Sequence, residues 1–285
     1  VELNKKKNSK IRIGFLSSEI LGKHSITYFL ETIFKDYNKD KFEIYLYLDN
    51  AIEDENTNEF KILVKKFINV SSLEDIEAFN LIRSDNIDIM FDITGVTLSN
   101  RVSLFKNRMA PKQISWLGYC NTSGLENMDY LIADKNLIYD EEKNYYSEKI
   151  IYMPNIWNCH SGLNSIRSFS DPPCLKEKNI TFGSFNNFNK INDQVISVWS
   201  QILLKVKNSK LILKSSLKMD KSFLKKEFEK YGVIDSIKFL EKRKLESHYN
   251  LYKNIDIALD TFPYNGVTTT FEALAMGVPV ITMKG

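Results

Sequence analysis

The chain has 285 residues, 43% hydrophobic and 26% charged, an ordinary globular balance and long enough for two domains. Its 39 basic and 36 acidic residues leave a net charge of +3, which argues against a nucleic-acid binder, whose basic residues gather in a patch. No apolar run approaches the ~20 residues of a membrane helix, and the opening VELNKKKNSK lacks the apolar core of a signal peptide.

Residues 1–9 read as a polar leader, its lysines solvated. KIRIGFLSS then reads as a strand and HSITYFLETIFKDY as a helix, with apolar residues at helical spacing. KFEIYLYLD is a strand, LEDIEAFNLIRSD a helix and IDIMFDITG the strand after it. KQISWLGY, MDYLIAD and EKIIYMP follow as strands. This alternation predicts a parallel sheet covered on both faces, over residues 10–158. Residues 159–178 break the pattern with Ser, Asn, Gly and a Pro-Pro pair, the chemistry of a linker.

Alternation then restarts over 179–285. ITFGSFN, KLILKS, IKFLE, IDIALDTF and VPVITM read as strands, with DQVISVWSQILLKV, KSFLKKEFEKYG and TTTFEALAMG as helices. The expected fold class is α/β: two Rossmann-like lobes facing a cleft, with ligands at the carboxyl ends of the strands. No GxGxxG follows a predicted strand, which argues against hydride transfer. Cys120, Cys159 and Cys174 are odd in number and form no CxxC pair, so a reduced, cytoplasmic compartment is expected.

Candidate chemistry sits at three places. In PYNGVTTTFEALAMG a turn opens a helix, and Thr269-x-x-Glu272 fits a capping box. The same geometry also suits a diphosphate, because a helix N-terminus offers free N–H groups and partial positive charge. Threonine hydroxyls would add donors, and Glu272 could accept from ribose hydroxyls. In SFNNFNKIND, Lys190 falls just before a helix capped by Asn192 or Asp193, where an anion would offset a cation disfavoured by the dipole. A lysine pointing into water is the plainer alternative. His248 reads as a packed histidine, or as one lying against a base. After the first strand come Glu19, a solvated loop charge or a base, and His24. A helix start at His24 would lower the imidazole pKa and keep it neutral, fit to deprotonate or orient a hydroxyl.

MAPKQISWLGYCNTSGLENMDYLIAD, YYSEKIIYMPN, FNNFNKIN and DTFPYNGVTTTFEALAMGVPVIT together resemble the O-linked N-acetylglucosamine transferase and SPINDLY family, glycosyltransferase family 41, over roughly residues 10 to 285. The resemblance implies a GT-B fold and inverting, metal-independent transfer of a sugar from a nucleotide donor to Ser or Thr of proteins. No metal site and no cofactor are expected, the donor being UDP-N-acetylglucosamine. A SPINDLY-type GDP-fucose donor and an asparagine N-glucosyltransferase are the alternatives within the class. A UDP-sugar epimerase and an inactive nucleotide- or protein-binding relative are those outside it. By motif, Lys190 would contact the diphosphate. Asn265, Gly266, Thr268 and Thr269 would hold phosphates, Glu272 the ribose, and His248 the base, with Asn187 nearby. Glu19 and His24 would lie at the reacting centre, and Arg101 and Gly118 on the substrate side. Departures are a longer Glu19–His24 loop, Cys120 and Asn121 in place of Pro and Gly, and Val267 in place of a histidine. The resemblance also implies helical repeats upstream and further strand and helix beyond Gly285, so both ends read as cut.

Overall fold

The computed structural model describes residues 10–20, 24–97, 100–160, 169–214, 221–240 and 248–284. The predicted leader and positions 161–168 of the predicted linker lie outside them. The chain separates into two units, Val1–Ser161 and Gly162–Gly285. Among the described residues no helix is long and apolar enough to cross a membrane.

The first unit is a seven-stranded sheet. It runs β1 (Ile11–Ser17), α1 (Ser25–Asp36), β2 (Phe42–Leu48), α2 (Glu55–Leu63), β3 (Lys66–Asn69), α3 (Asp75–Ser84), β4 (Ile89–Asp92), β5 (Lys112–Ser115), β6 (Tyr130–Ala133) and β7 (Lys149–Tyr152). The spatial order is β3-β2-β1-β4-β5-β6-β7, every neighbour parallel. Strands buried on both faces need near-continuous apolar runs, and Leu46, Tyr47 and Leu48 are all fully buried. On α1, Ile26, Phe29, Leu30 and Phe34 form the buried stripe at three- and four-residue spacing.

In this unit the structure adds a helix and a strand that the periodicity did not give, α2 and β3. Helix α2 buries just Thr57 and Phe60, so its apolar pattern is too thin to read, while Asp54 and Thr57 close a capping box at its start.

The second unit runs α4 (Cys174–Glu177), β8 (Thr181–Ser184), α5 (Asp193–Lys205), β9 (Lys210–Lys214), α6 (Ser222–Lys230), β10 (Ile237–Leu240), β11 (Ile257–Leu259), α7 (Thr268–Ala275) and β12 (Val280–Ile281). Its five strands are all parallel in the order β10-β9-β8-β11-β12. Strand alternation splits the core in two. Leu211 and Leu213 pack with Trp199 and Phe228, while Ile212 between them packs with Tyr252, Ile255 and Ala273. Asp256 ties α4 down, accepting from the Cys174 and Thr181 amides at 2.8 Å each.

Several strands stop short of their predicted ends. The expected strand over 112–119 ends at Ser115. Beyond it Gly118 N–H donates to Trp116 O at 2.9 Å across Leu117, whose φ is 67°. That is a γ-turn of the rarer hand, a strained conformation for a leucine. Both sheets reverse direction of winding once, between β1 and β4 and between β8 and β11. Such switch points open a crevice at the strands' carboxyl ends, where doubly wound sheets bind ligands.

Candidate active site

At the first switch point β1 ends at Ser17 and is followed by Ser18 and Glu19. The Glu19 amide donates to Ser17 Oγ at 3.0 Å. Thr97 Oγ1 lies 3.5 Å from Glu19 Oε1, and His24 Nδ1 lies 3.9 Å from Oε2. The two sequence-predicted residues are therefore neighbours. His24 is the N-cap of α1, and its Nδ1 accepts from the Ile26 amide at 3.5 Å. Its pKa is lowered, as expected, but the cause is burial. Burial likewise raises the pKa of Glu19, against a smaller lowering by the Thr97 hydroxyl. A neutral imidazole and a weakly acidic carboxyl side by side can share or pass a proton.

Across the switch point, β4 ends in Asp92. Its Oδ1 accepts from the Thr94 and Gly95 amides at 3.1 and 2.9 Å, while Oδ2, fully buried, meets no donor among the described residues. Burial raises this carboxyl's pKa, and the Glu19 charge adds to the rise. Gly118 is where a side chain has no room: a Cβ there would press on Ile93 O and lie 2.5 Å from Thr94 O. The loop after it is held by buried Glu148, which accepts from the Ser123 amide at 2.7 Å, from Thr122 Oγ1 at 2.8 Å, and from Ser123 Oγ.

Arg101, expected on the substrate side, is engaged inside its own unit. Its guanidinium donates to Asp75 Oδ1 at 2.9 Å, Asp49 Oδ1 at 3.1 Å, Val70 O at 2.8 Å and Leu73 O. It braces the loops after β2 and β3.

The second switch point gathers more. Asp260, one residue past β11, is buried and accepts four hydrogen bonds. Oδ1 takes the Thr261 and Gly266 amides at 2.9 and 2.8 Å and Asn186 Nδ2 at 3.2 Å. Oδ2 takes Thr282 Oγ1 at 2.9 Å. Asn186 in turn accepts from Thr269 Oγ1 at 2.9 Å. Gly266 is required by this closeness, since a Cβ would lie on Thr269 Oγ1 and 2.8 Å from Asn186 Oδ1.

The capping box expected at Thr269 and Glu272 does not form. The N-cap of α7 is Val267, which makes no side-chain cap bond, and both predicted partners are drawn to other elements. Backbone donation into α7 begins with Thr270 and Phe271, both to Val267 O at 3.1 Å. The Thr268 and Thr269 amides are those of the first turn, which a helix cannot satisfy itself. Thr270 Oγ1 bonds back to Gly266 O at 3.0 Å.

Lys190 reaches the same turn. Its Nζ donates to Asn265 O at 3.0 Å and lies 4.4 Å from the centre of the Tyr264 ring. Asn265 Nδ2 donates to Thr261 O, Thr282 Oγ1 and Met283 O at 2.8, 3.0 and 3.0 Å. Asn187 caps the short turn Phe188–Lys190, accepting from the Asn189 amide at 3.1 Å. Asn192 caps α5 through the Val195 amide at 3.0 Å.

His248 and Glu272 are buried against each other, Nε2 to Oε2 at 3.0 Å. Tyr252 donates to the same Oε2 at 3.0 Å, and His248 Nδ1 meets Lys214 Nζ at 2.9 Å. Burial, then the Glu272 charge, pushes the Tyr252 phenol well above its ordinary pKa. Glu272 Oε1 receives no hydrogen bond among the described residues.

The sequence reading missed Asp260, Asn186, Lys214 and Tyr252. A signal existed for two of them: IALD and LILK each end an apolar strand in a charge, at the carboxyl edge where sites form. Among the described residues no group of three or more His, Cys, Asp or Glu is gathered to hold a metal.

Two doubly wound parallel sheets of this kind make up the GT-B class of glycosyltransferase folds. The family model for glycosyl transferase family 41 matches residues 2–167 and 171–285, and the chain belongs to that family. Among curated proteins it is similar to a probable UDP-N-acetylglucosamine–peptide N-acetylglucosaminyltransferase SPINDLY of Eustoma exaltatum subsp. russellianum. The two are 34% identical over 92% of this chain and 30% of that protein. The corresponding Arabidopsis thaliana protein is 32% identical over 96% of this chain and 31% of its own length. The chain thus spans under a third of these relatives. A mutant of the Thermobaculum terrenum O-GlcNAc transferase superposes with a TM-score of 0.90 at 30% identity, over 98% of this chain and 53% of that one. The apo form of WaaB, a lipopolysaccharide outer core galactosyltransferase, shares the fold at 16% identity and a TM-score of 0.58, over 96% of this chain and 82% of that one.

Proposed function

We propose that this chain carries the catalytic region of a protein O-glycosyltransferase. It moves N-acetylglucosamine from UDP-N-acetylglucosamine to Ser or Thr hydroxyls of acceptor proteins in the cytoplasm. The observation that carries the reading is the second switch point, where Lys190, the Asn265–Gly266 turn and the first turn of α7 converge.

In this reading the diphosphate lies at the start of α7, against the Thr268 and Thr269 amides and Lys190. The acceptor oxygen attacks the anomeric carbon from the face opposite the leaving group. The bond from that carbon to the β-phosphate oxygen breaks, UDP departs with the electron pair, and configuration inverts. Glu19 or His24 takes the hydroxyl proton. Charge develops on the departing phosphate, and preorganised N–H groups with a lysine stabilise it without a metal. Glu272 Oε1 accepts from the ribose, and His248 and Asn187 flank the base. Arg101 and Gly118 act by position, one bracing loops and the other letting two strand ends approach.

The test is calorimetry of the chain with UDP, GDP and NAD, with and without magnesium, followed by a transfer assay on the full-length protein. UDP binding that ignores metal supports the reading. A GDP preference redirects it to fucose transfer, and no binding by a folded sample overturns it. Lys190→Ala is expected to lower transfer by about 100- to 1000-fold, and unchanged turnover would remove Lys190 from its role.

A further inference from the structure

Lys214 closes β9 and is 4% exposed, a depth at which lysine is rare without a dedicated partner. One partner is His248 Nδ1 at 2.9 Å. With Lys214 as the ammonium, which has three donors and no lone pair, the imidazole nitrogen that meets it is the acceptor. That leaves the proton of a neutral ring on Nε2, which faces Glu272 Oε2 at 3.0 Å. Tyr252 supplies a second donor to the same oxygen. The chain Lys214–His248–Glu272 therefore runs in one direction, ammonium to imidazole to carboxylate. The His248 and Tyr252 bonds both end on Oε2, and Oε1 receives no hydrogen bond among the described residues.

We propose that Lys214 is a positioning residue of the donor site. It sets the tautomer of His248 and, through it, the orientation of the Glu272 carboxylate that receives the nucleotide's ribose. This rests on the donor-site reading above, but the tautomer itself can be measured without any nucleotide. Replacing Lys214 by an apolar residue removes the donor at Nδ1. The imidazole is then released to take a proton there, or to exchange tautomers, and Glu272 loses its fixed direction.

The experiment is two-bond proton–nitrogen NMR on the chain labelled with nitrogen-15 histidine. Three histidines are present, and His248→Gln assigns the resonance. The wild type is expected to show bare Nδ1 and protonated Nε2. Lys214→Met is expected to shift His248 to the imidazolium or to a tautomer mixture and to weaken UDP or GDP binding about tenfold. Lys214→Arg, which keeps a donor, is expected to retain the tautomer and most of the affinity. A protonated Nδ1 in the wild type overturns the proposal, and that measurement needs no variant to fold. So does a Lys214→Met protein whose tautomer changes while its nucleotide affinity does not. Should the wild type show the assigned tautomer but bind neither nucleotide, the donor-site reading falls and takes the positioning role with it.

Discussion

Asp92 and Asp260 occupy corresponding places in the two sheets. Each stands at the carboxyl end of the strand across the switch point from the first strand of its unit, Asp92 as the last residue of β4 and Asp260 just past β11, and each is buried. Their surroundings are opposite. Asp260 accepts four hydrogen bonds spread over both oxygens, three of them from groups five or more positions away. Asp92 accepts two local amide bonds on one oxygen, and the other meets no donor among the described residues. A carboxylate surrounded by donors can organise a turn. One that lacks them is driven toward its neutral form. The topology assigns the position, and the donors decide what the acid does there.

The comparison breaks most easily at Asp260. Asp260→Ala strands the Gly266 and Thr261 amides and the Asn186 side chain, and should destabilise the second unit by about 4 kcal/mol. Urea unfolding followed by hydrogen exchange at Gly266 measures it, and a loss under about 1 kcal/mol would deny the residue its organising role. Gly266→Ala is the next effect. Its Cβ displaces the Thr269–Asn186 bond, for a cost of about 2 kcal/mol. A wild-type midpoint would mean that the turn relaxes freely.

Asp92→Asn is the smallest effect and has the opposite sign. The folded-state pKa of Asp92 is raised above the ordinary 3.8, so the folded chain holds this proton longer than the unfolded chain. Stability from this group is complete below 3.8 and falls as pH rises toward the folded-state value. Asparagine carries no such proton. The variant should be more stable than wild type at pH 7, by about 1 kcal/mol, with a flatter pH profile above pH 4. Equal destabilisation by Asp92→Asn and Asp260→Asn would erase the distinction.

Most of the fold was legible because buried parallel strands and amphipathic helices write strong periods into the chain. Where burial is shallow, as along α2, the period fades and the element was missed. The site was half legible. Lys190, Thr269 and Glu272 stand out locally, but what they touch does not. Thr269 reaches Asn186 across 83 positions, Lys190 reaches Asn265 across 75, and His248 reaches back 34 to Lys214. A capping box is the local partner that sequence offers Thr269 and Glu272, and the tertiary partners displaced it.

The parallel pairing of every strand has a kinetic consequence. None of the described strands can be closed by a hairpin, so each pairing waits on a crossover, and long-range closure makes such sheets slow to form. Asp260 and Asn186 meet only when β8 and β11 are side by side, and β9 and β10 lie between those two strands in sequence. The turn at the second switch point therefore waits on a long-range closure. A nucleotide that binds there stabilises the finished unit, and it has nothing to hold in a chain still on its way.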